Sequence, residues 1–302
     1  MSAEKRQFFR FDVSLPYFIE PLDNKGCCFQ VTRNQLLTTQ ELKLITLETQ
    51  QLNNLFEDSK HIQNGSVKIF EGLNHKLDFM VWLLDLILEG VEHSKLTQLD
   101  DKKEQNHRIV LPEVKESSKV FPLLKAYFIR VDEYIAELID VIEHSVRGNV
   151  FMYHKPLLKP LKLENYIKGL PELAKKGNWL ARVITLLVSK LNHYEKLIIK
   201  LKQAYEKISD YEKWPIEKVN LGEGGFAIFT SKTFGDADKI CVLFRMDDEF
   251  VFAKARCVYQ SNKSKVKEPM RTAFEFEEIH SEDSAHIVRF LMAQELAFRH
   301  KN

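Results

Sequence analysis

Three glycines in four residues, Gly222, Gly224 and Gly225, follow the run from Trp214 to Val219, and no other stretch limits the fold as much. Glycine reaches φ > 0 at little steric cost and lets another backbone or a ligand approach closely. The residues that follow, Phe226-Ala227-Ile228-Phe229-Thr230, return at once to an extended pattern. The turn therefore joins two strands and does not open a helix. That excludes the dinucleotide fingerprint and the phosphate-binding loop, whose glycines must lead into a helix N-terminus.

More strands are expected on both sides of this turn. Phe11 to Leu22 alternates, with Phe11, Val13, Leu15 and Tyr17 on one side, and Pro16 and Pro21 restrict it to an edge or its ends. Lys239 to Met246 alternates through Ile240, Val242 and Phe244, and Asp247-Asp248-Glu249 turns the chain. Phe250 to Tyr259 alternates again, and Met270 to Phe276 closes a meander beyond the polar stretch 261–268. Ser281-Glu282-Asp283 then caps a C-terminal helix carrying Ile287, Phe290, Leu291 and Leu296.

Between Thr38 and Tyr211 the period changes to that of a helix. Thr38-Thr39-Gln40-Glu41 is a capping box ahead of Leu42, Ile45, Leu52 and Phe56. A second helix is expected over residues 66–93, on Val67, Phe70, Leu73, Leu77, Met80, Leu84, Ile87 and Val91. Residues 94–107 are polar and read as a mobile loop. A third helix carries Leu124, Phe128, Val131, Ile135, Leu138 and Ile142 up to Gly148. A connector with Pro156, Pro160 and Pro171 leads to a fourth, where Ile184, Leu187, Leu191, Tyr194, Ile198, Leu201, Tyr205 and Ile208 alternate by three and four. That spacing suits a coiled-coil seam between chains, and equally one amphipathic helix in a monomeric bundle.

A chain of 302 residues, 44% hydrophobic, is long enough for two cores. The expected fold is α+β: a small antiparallel β-barrel with a C-terminal helix, from residues 1–24 and 212–302, interrupted by an inserted all-α domain, a bundle or coiled coil, over residues 25–211. Loop tips tolerate such insertions. The net charge of +1 gives no field to recruit a nucleic-acid polymer or an anionic membrane. The most apolar window, Phe79 to Leu88, contains Asp85 and is shorter than the ~20 residues of a membrane span. Cys27, Cys28, Cys241 and Cys257 show no metal-ligand spacing, and the charged N-terminus lacks a signal peptide's apolar core, so a reduced, cytoplasmic protein is expected.

Arg6-Gln7-Phe8-Phe9-Arg10 sets two guanidinium groups ahead of the first strand. Such groups bind phosphate bidentately and stack on flat rings. With Asn220-Leu221-Gly222-Glu223-Gly224-Gly225 opening a later strand, and Phe274-Glu275-Phe276-Glu277-Glu278-Ile279 ahead of Ser281-Glu282-Asp283, the order of elements resembles the PilZ family of cyclic di-GMP receptors. That family carries RxxxR before its first strand and D/N-x-S-x-x-G at the next, followed by a small barrel and a helix. The resemblance covers roughly residues 1–24 and 212–302 and implies that Arg6, Arg10, Asn220, Gly222 and Gly225 bind cyclic di-GMP. The family's serine is Gly222 here, which removes a hydroxyl donor.

No HExxH, GxSxG or Cys-His arrangement indicates an enzyme. Glu92-His93 and Glu143-His144 are adjacent pairs that point to different helix faces and read as surface residues, so neither a metal nor a cofactor is expected. The reading is a noncovalent second-messenger receptor, homo-oligomeric through its helical insert and acting on an unknown downstream protein. The alternative is an oligomerisation or interaction scaffold whose barrel no longer binds nucleotide.

Overall fold

The computed structural model describes residues 10–22, 29, 31–59, 65–89, 93–110, 120–145, 151–152, 169–235, 237–261 and 269–300. The chain divides into two compact units, one of Met1–Phe29 with Lys207–Asn302 and the other of Gln30–Glu206. In chain order the elements are β1 (Arg10–Pro21), α1 (Arg33–Leu36), α2 (Thr39–Ser59), α3 (Gly65–Glu89), α4 (His93–His107), α5 (Phe121–Glu143), α6 (Leu170–Lys175), α7 (Trp179–Ala204), α8 (Glu206–Ser209), β2 (Ile216–Gly222), β3 (Gly225–Thr230), β4 (Lys239–Met246), β5 (Glu249–Gln260), β6 (Met270–Ile279) and α9 (Ser281–Arg299).

The six strands close into an antiparallel barrel of order β1-β2-β3-β6-β5-β4. Closure depends on β1, which is long enough to serve two neighbours. Arg10 to Pro16 pairs with β2, and Tyr17 to Pro21 pairs with β4. Pro16 has no N–H to give a ladder, and it sits where the strand passes from one neighbour to the other. The alternation expected over β1 holds: Val13 and Leu15 are buried, and Phe11 and Tyr17 pack half-buried against the same core. Strands β4, β5 and β6 form the meander, but β6 then returns to pair with β3, a long-range contact that no local pattern announces.

Aromatic rings fill the barrel. Phe226 stacks on Phe274 at 5.0 Å between centroids and meets Phe244 edge-on at 5.1 Å. Each such ring, fully buried, contributes on the order of 2 to 3 kcal/mol. Asp247 takes φ 54 in the β4–β5 turn, a conformation Asp tolerates better than most residues. Helix α9 covers the barrel with Ile287, Phe290 and Leu291, while Leu296, expected on that stripe, is exposed. Its N-cap is His280, whose side chain accepts from the Glu282 N–H, so the cap lies one residue before the expected Ser281. Cys257 is buried and Cys241 is disulfide-bonded, which departs from the reduced set expected.

The second unit is all helical. The capping box forms as expected: the Thr38 N–H donates to Glu41 Oε2 (2.8 Å) and the Glu41 N–H donates to Thr38 Oγ1 (3.2 Å). Helix α3 keeps Lys68, Glu71, His75, Asp78, Asp85 and Glu89 on one polar stripe and buries the opposite, apolar side, with α2, α4, α5 and α7 as its neighbours. Seven of the eight alternating residues, Ile184 to Tyr205, belong to this unit and are buried, and Ile208, also buried, belongs to the barrel unit. Their stripe is filled by the chain's own bundle, and Tyr205 ends α7 before the period does. Buried cations find carboxylates, as charges out of water must: Lys190 meets Asp78 at 2.7 Å, Lys76 meets Asp132 at 2.6 Å, and Lys202 pairs with Glu137.

Residues 94–107 correct the sequence reading, because they form α4 and not a loop. Lys, Glu and Gln have good helix propensity, and a polar helix keeps its shape when a neighbour gives it one anchor. Leu99 is that anchor, and Lys102 lies over the Trp82 ring at 5.0 Å.

Candidate functional site

The glycine stretch forms a two-residue hairpin. Gly222 and Gly225 are paired across β2 and β3, and Glu223-Gly224 makes the turn. Gly225 is buried where β3 presses on β6. A Cβ there would lie 2.2 Å from the Phe274 carbonyl oxygen and 3.1 Å from Glu275 Cα, both backbone atoms. The Phe276 N–H donates to the Gly224 oxygen at 3.1 Å and fixes the turn to β6. Gly225 thus has a packing reason to be glycine, whatever binds outside.

The register of β1 on β2 sets Arg10 directly opposite Gly222. Two residues on, Asp12 is opposite Asn220, and Asn220 Nδ2 donates to Asp12 Oδ1 at 2.6 Å. Since Val13 and Leu15 face the core, Arg10 and Asp12 share the outer face of β1. Leu221 points inward, so by alternation Asn220 and Gly222 share the other face of β2, where Asn220 is half-buried and Gly222 is buried. Four of the five residues singled out from sequence therefore lie at one end of the barrel: Arg10 beside Gly222, Gly225 across the turn, and Asn220 diagonal to Arg10. Arg6 lies outside the described residues.

Three neighbours were not anticipated. Asp12 orients Asn220 by taking one of its amide hydrogens, and the period-two pattern of β1 already put it on Arg10's face. Glu275 is paired with Gly225 across β3–β6, and Arg256 on β5 meets Glu275 Oε2 at 2.9 Å and Glu277 Oε1 at 3.3 Å. These two depend on registers between strands distant in sequence. The hairpin thus has an arginine and a carboxylate on its β1 side and an arginine–carboxylate pair on its β6 side. Such a surface offers both charge-assisted donors and acceptors to a polar ligand.

A separate cleft of about 720 Å³ opens at the opposite end of β1, lined by Pro21, Leu22, Lys232, Phe234, Asp238 and Lys239 among others. Lys239 is paired there with Glu277 at 2.7 Å. None of the candidate residues reaches it. Among the described residues no three His, Cys, Asp or Glu side chains converge as a metal site requires, and no helix is long and apolar enough to cross a membrane. His144 at the end of α5 is exposed, with Nδ1 at 2.8 Å from the Asp140 carbonyl oxygen.

A closed six-stranded barrel with a C-terminal helix is compatible with the PilZ architecture. No family model matches the chain, and no curated protein matches it. Among solved structures it is similar to the Bacillus subtilis inhibitor of motility (MotI/DgrA), at 16% identity and a TM-score of 0.25, over 28% of this chain and 44% of that one. The chain thus spans less than half the length of that structure.

Proposed function

We propose that the chain is a noncovalent receptor for cyclic di-GMP, a binding protein and not an enzyme, whose ligand surface is Arg10, Asn220 and the Gly222–Gly225 hairpin, with Arg6 joining from the preceding segment. The observation that carries the reading is the register: Arg10 pairs with Gly222, so an exposed arginine stands beside a tight hairpin whose turn, Glu223-Gly224, is its accessible part. Cyclic di-GMP offers two phosphates and two guanines. Arginine suits either a phosphate or the O6/N7 edge of guanine. Asp12, adjacent on the same face, would oppose a phosphate but would accept from the N–H groups of guanine. The guanine edge is therefore the better partner for Arg10.

A second reading is favoured by Gly222 and Gly225 themselves. The first lacks the family's hydroxyl, and the second is a glycine that β6 requires. On this reading the barrel is a scaffold that has kept its turn for packing and lost the nucleotide. Assembly through the helical unit would then use a surface other than the Ile184–Tyr205 stripe, whose residues are already buried in the single chain.

Isothermal titration of the whole protein with cyclic di-GMP separates the two. A charge-assisted arginine contact is worth roughly 2 to 5 kcal/mol, so Arg10→Ala should weaken binding at least tenfold. Gly222→Ser, paired opposite Arg10, should tighten it. Wild type that binds no tighter than Arg10→Ala removes the receptor reading and leaves the scaffold.

A further inference from the structure

Helix α4 lies against the helical unit along one stripe, formed by Leu99, Lys102, Lys103 and Asn106 and continued by Ile109. Among its described side chains only Leu99 is buried. Lys102 lies over the Trp82 ring of α3 at 5.0 Å, Lys103 reaches Glu143 on α5, and Asn106 and Ile109 complete the stripe toward α3. Positions 99, 102, 103, 106 and 109 follow the spacing by which an amphipathic helix lies in a groove.

The receiving surface is better made than the helix occupying it. Phe79 and Trp82 stack at 6.0 Å with an interplanar angle of 18°, Phe79 buried and Trp82 half-buried beside the polar stripe of α3. Between them and α4 remains a space of about 330 Å³, bordered by His75, Asp78, Lys102, Gln105 and Asn106. Asn106 Oδ1 is buried at its edge with no hydrogen-bond partner among the described residues. An underfilled groove and an orphaned polar atom both penalise the present occupant.

We propose that the Phe79–Trp82 face of α3 is a docking surface for a basic amphipathic helix of a partner protein, and that α4 occupies it in cis as a weak, displaceable stand-in. The partner's chemistry is read from what α4 supplies and lacks. It carries an apolar residue where Leu99 sits, and a Lys or Arg three residues later to lie on Trp82. A second cation follows for Glu143, and an apolar side chain replaces Asn106 to fill the space. Such a helix gains what α4 forgoes, while α4 imposes a threshold that the partner must exceed. This inference does not depend on what the barrel binds.

The probe is a fluorescein-labelled peptide of residues 93–110 carrying Asn106→Leu, titrated by anisotropy into the full chain. Leu99→Asp in the full chain releases α4 and should raise peptide affinity at least tenfold over wild type, and adding Trp82→Ala should abolish the gain. Hydrogen exchange on wild type supplies a measurement that needs no variant. The α4 amides should exchange on the order of 100-fold faster than those of α3, and saturating peptide should expose them further. Amides of α4 as protected as those of α3, or a folded Leu99→Asp chain that binds the peptide no better than wild type, would overturn the proposal. If Leu99→Asp does not fold, exchange on wild type decides alone, and unchanged α4 protection at saturating peptide overturns it.

Discussion

Replacing Gly225 by alanine tests the closest approach in the barrel. The added methyl would sit 2.2 Å from the Phe274 carbonyl oxygen, and separations under 3.0 Å are essentially never seen for a Cβ. The opposing atoms are backbone, so no side chain can swing away. The strands must part by about 1 Å where Gly225 faces Glu275 and Phe226 faces Phe274. Overpacking of this kind costs about 1 to 3 kcal/mol, and loss of the Phe276 N–H bond to Gly224 adds about 1 kcal/mol. Alanine's smaller unfolded-state entropy returns roughly 0.5 kcal/mol. The net expectation is a loss of roughly 1.5 to 3.5 kcal/mol from the barrel. Of the three tryptophans, only Trp214 belongs to the barrel unit, where it is buried. Urea titration followed by Trp214 fluorescence in a Trp82→Phe, Trp179→Phe background therefore reports that unit alone. At a slope of about 1 kcal/mol per molar urea, the midpoint should fall by about 1.5 to 3.5 M. Gly235→Ala is the control, since its Cβ meets only the Asp238 side chain at 3.3 Å, and it should cost under about 1 kcal/mol. A Gly225→Ala barrel within about 0.5 kcal/mol of the parent refutes the close approach. If that stable variant also failed to bind cyclic di-GMP, the glycine would be there for the ligand.

In the helical unit, Leu191 is fully buried on the alternating stripe. Leu191→Ala should cost about 2 to 5 kcal/mol in circular-dichroism melts at unchanged mass by light scattering, and a loss of mass without loss of helix would restore an intermolecular seam. The bond from the Thr38 backbone N–H, followed by the side-chain contact with Lys200, holds the Glu41 carboxyl near pH 2 against an ordinary 4.5. A depressed carboxyl stabilises the fold above its unfolded value and loses that contribution as pH falls from 4.5 toward 2. The acid limb of the melt should therefore flatten in Glu41→Gln, and an unchanged limb would show that the cap does not titrate with folding.

Strand alternation was legible because one face of each barrel strand meets the core. The period-two pattern fixed β1, β4 and β5 to within a residue or two, and the three glycines identified the β2–β3 hairpin. The pairing of β3 with β6 was not legible. It depends on Gly225 meeting Glu275 across a separation of fifty residues, and neither residue carries a local mark of the other. The same gap hid Arg256 and Glu275 from the site, whereas Asp12 was one step of the alternation away from Arg10. Site residues on adjoining strands were found, and those brought in by the long-range register were not.

The helical unit failed in the opposite way. Its buried helices were easy to read because α3, α5 and α7 each bury a stripe at the helical period, yet that period cannot say which molecule supplies the covering surface. The stripe from Ile184 to Ile208 suits a dimer seam as well as an intramolecular bundle, and the burial of its residues in the single chain, with α2, α3 and α6 packed on α7, decides for the bundle. Helix α4 was missed because it has almost no stripe. A polar segment whose only buried described side chain is Leu99 looks like a loop to any argument based on apolar spacing. Its helicity comes from what it lies against, Trp82 beneath Lys102 and Glu143 beside Lys103. The element least determined by its own sequence is thus the one whose structure depends most on its neighbours, and the one a competing helix could most readily replace.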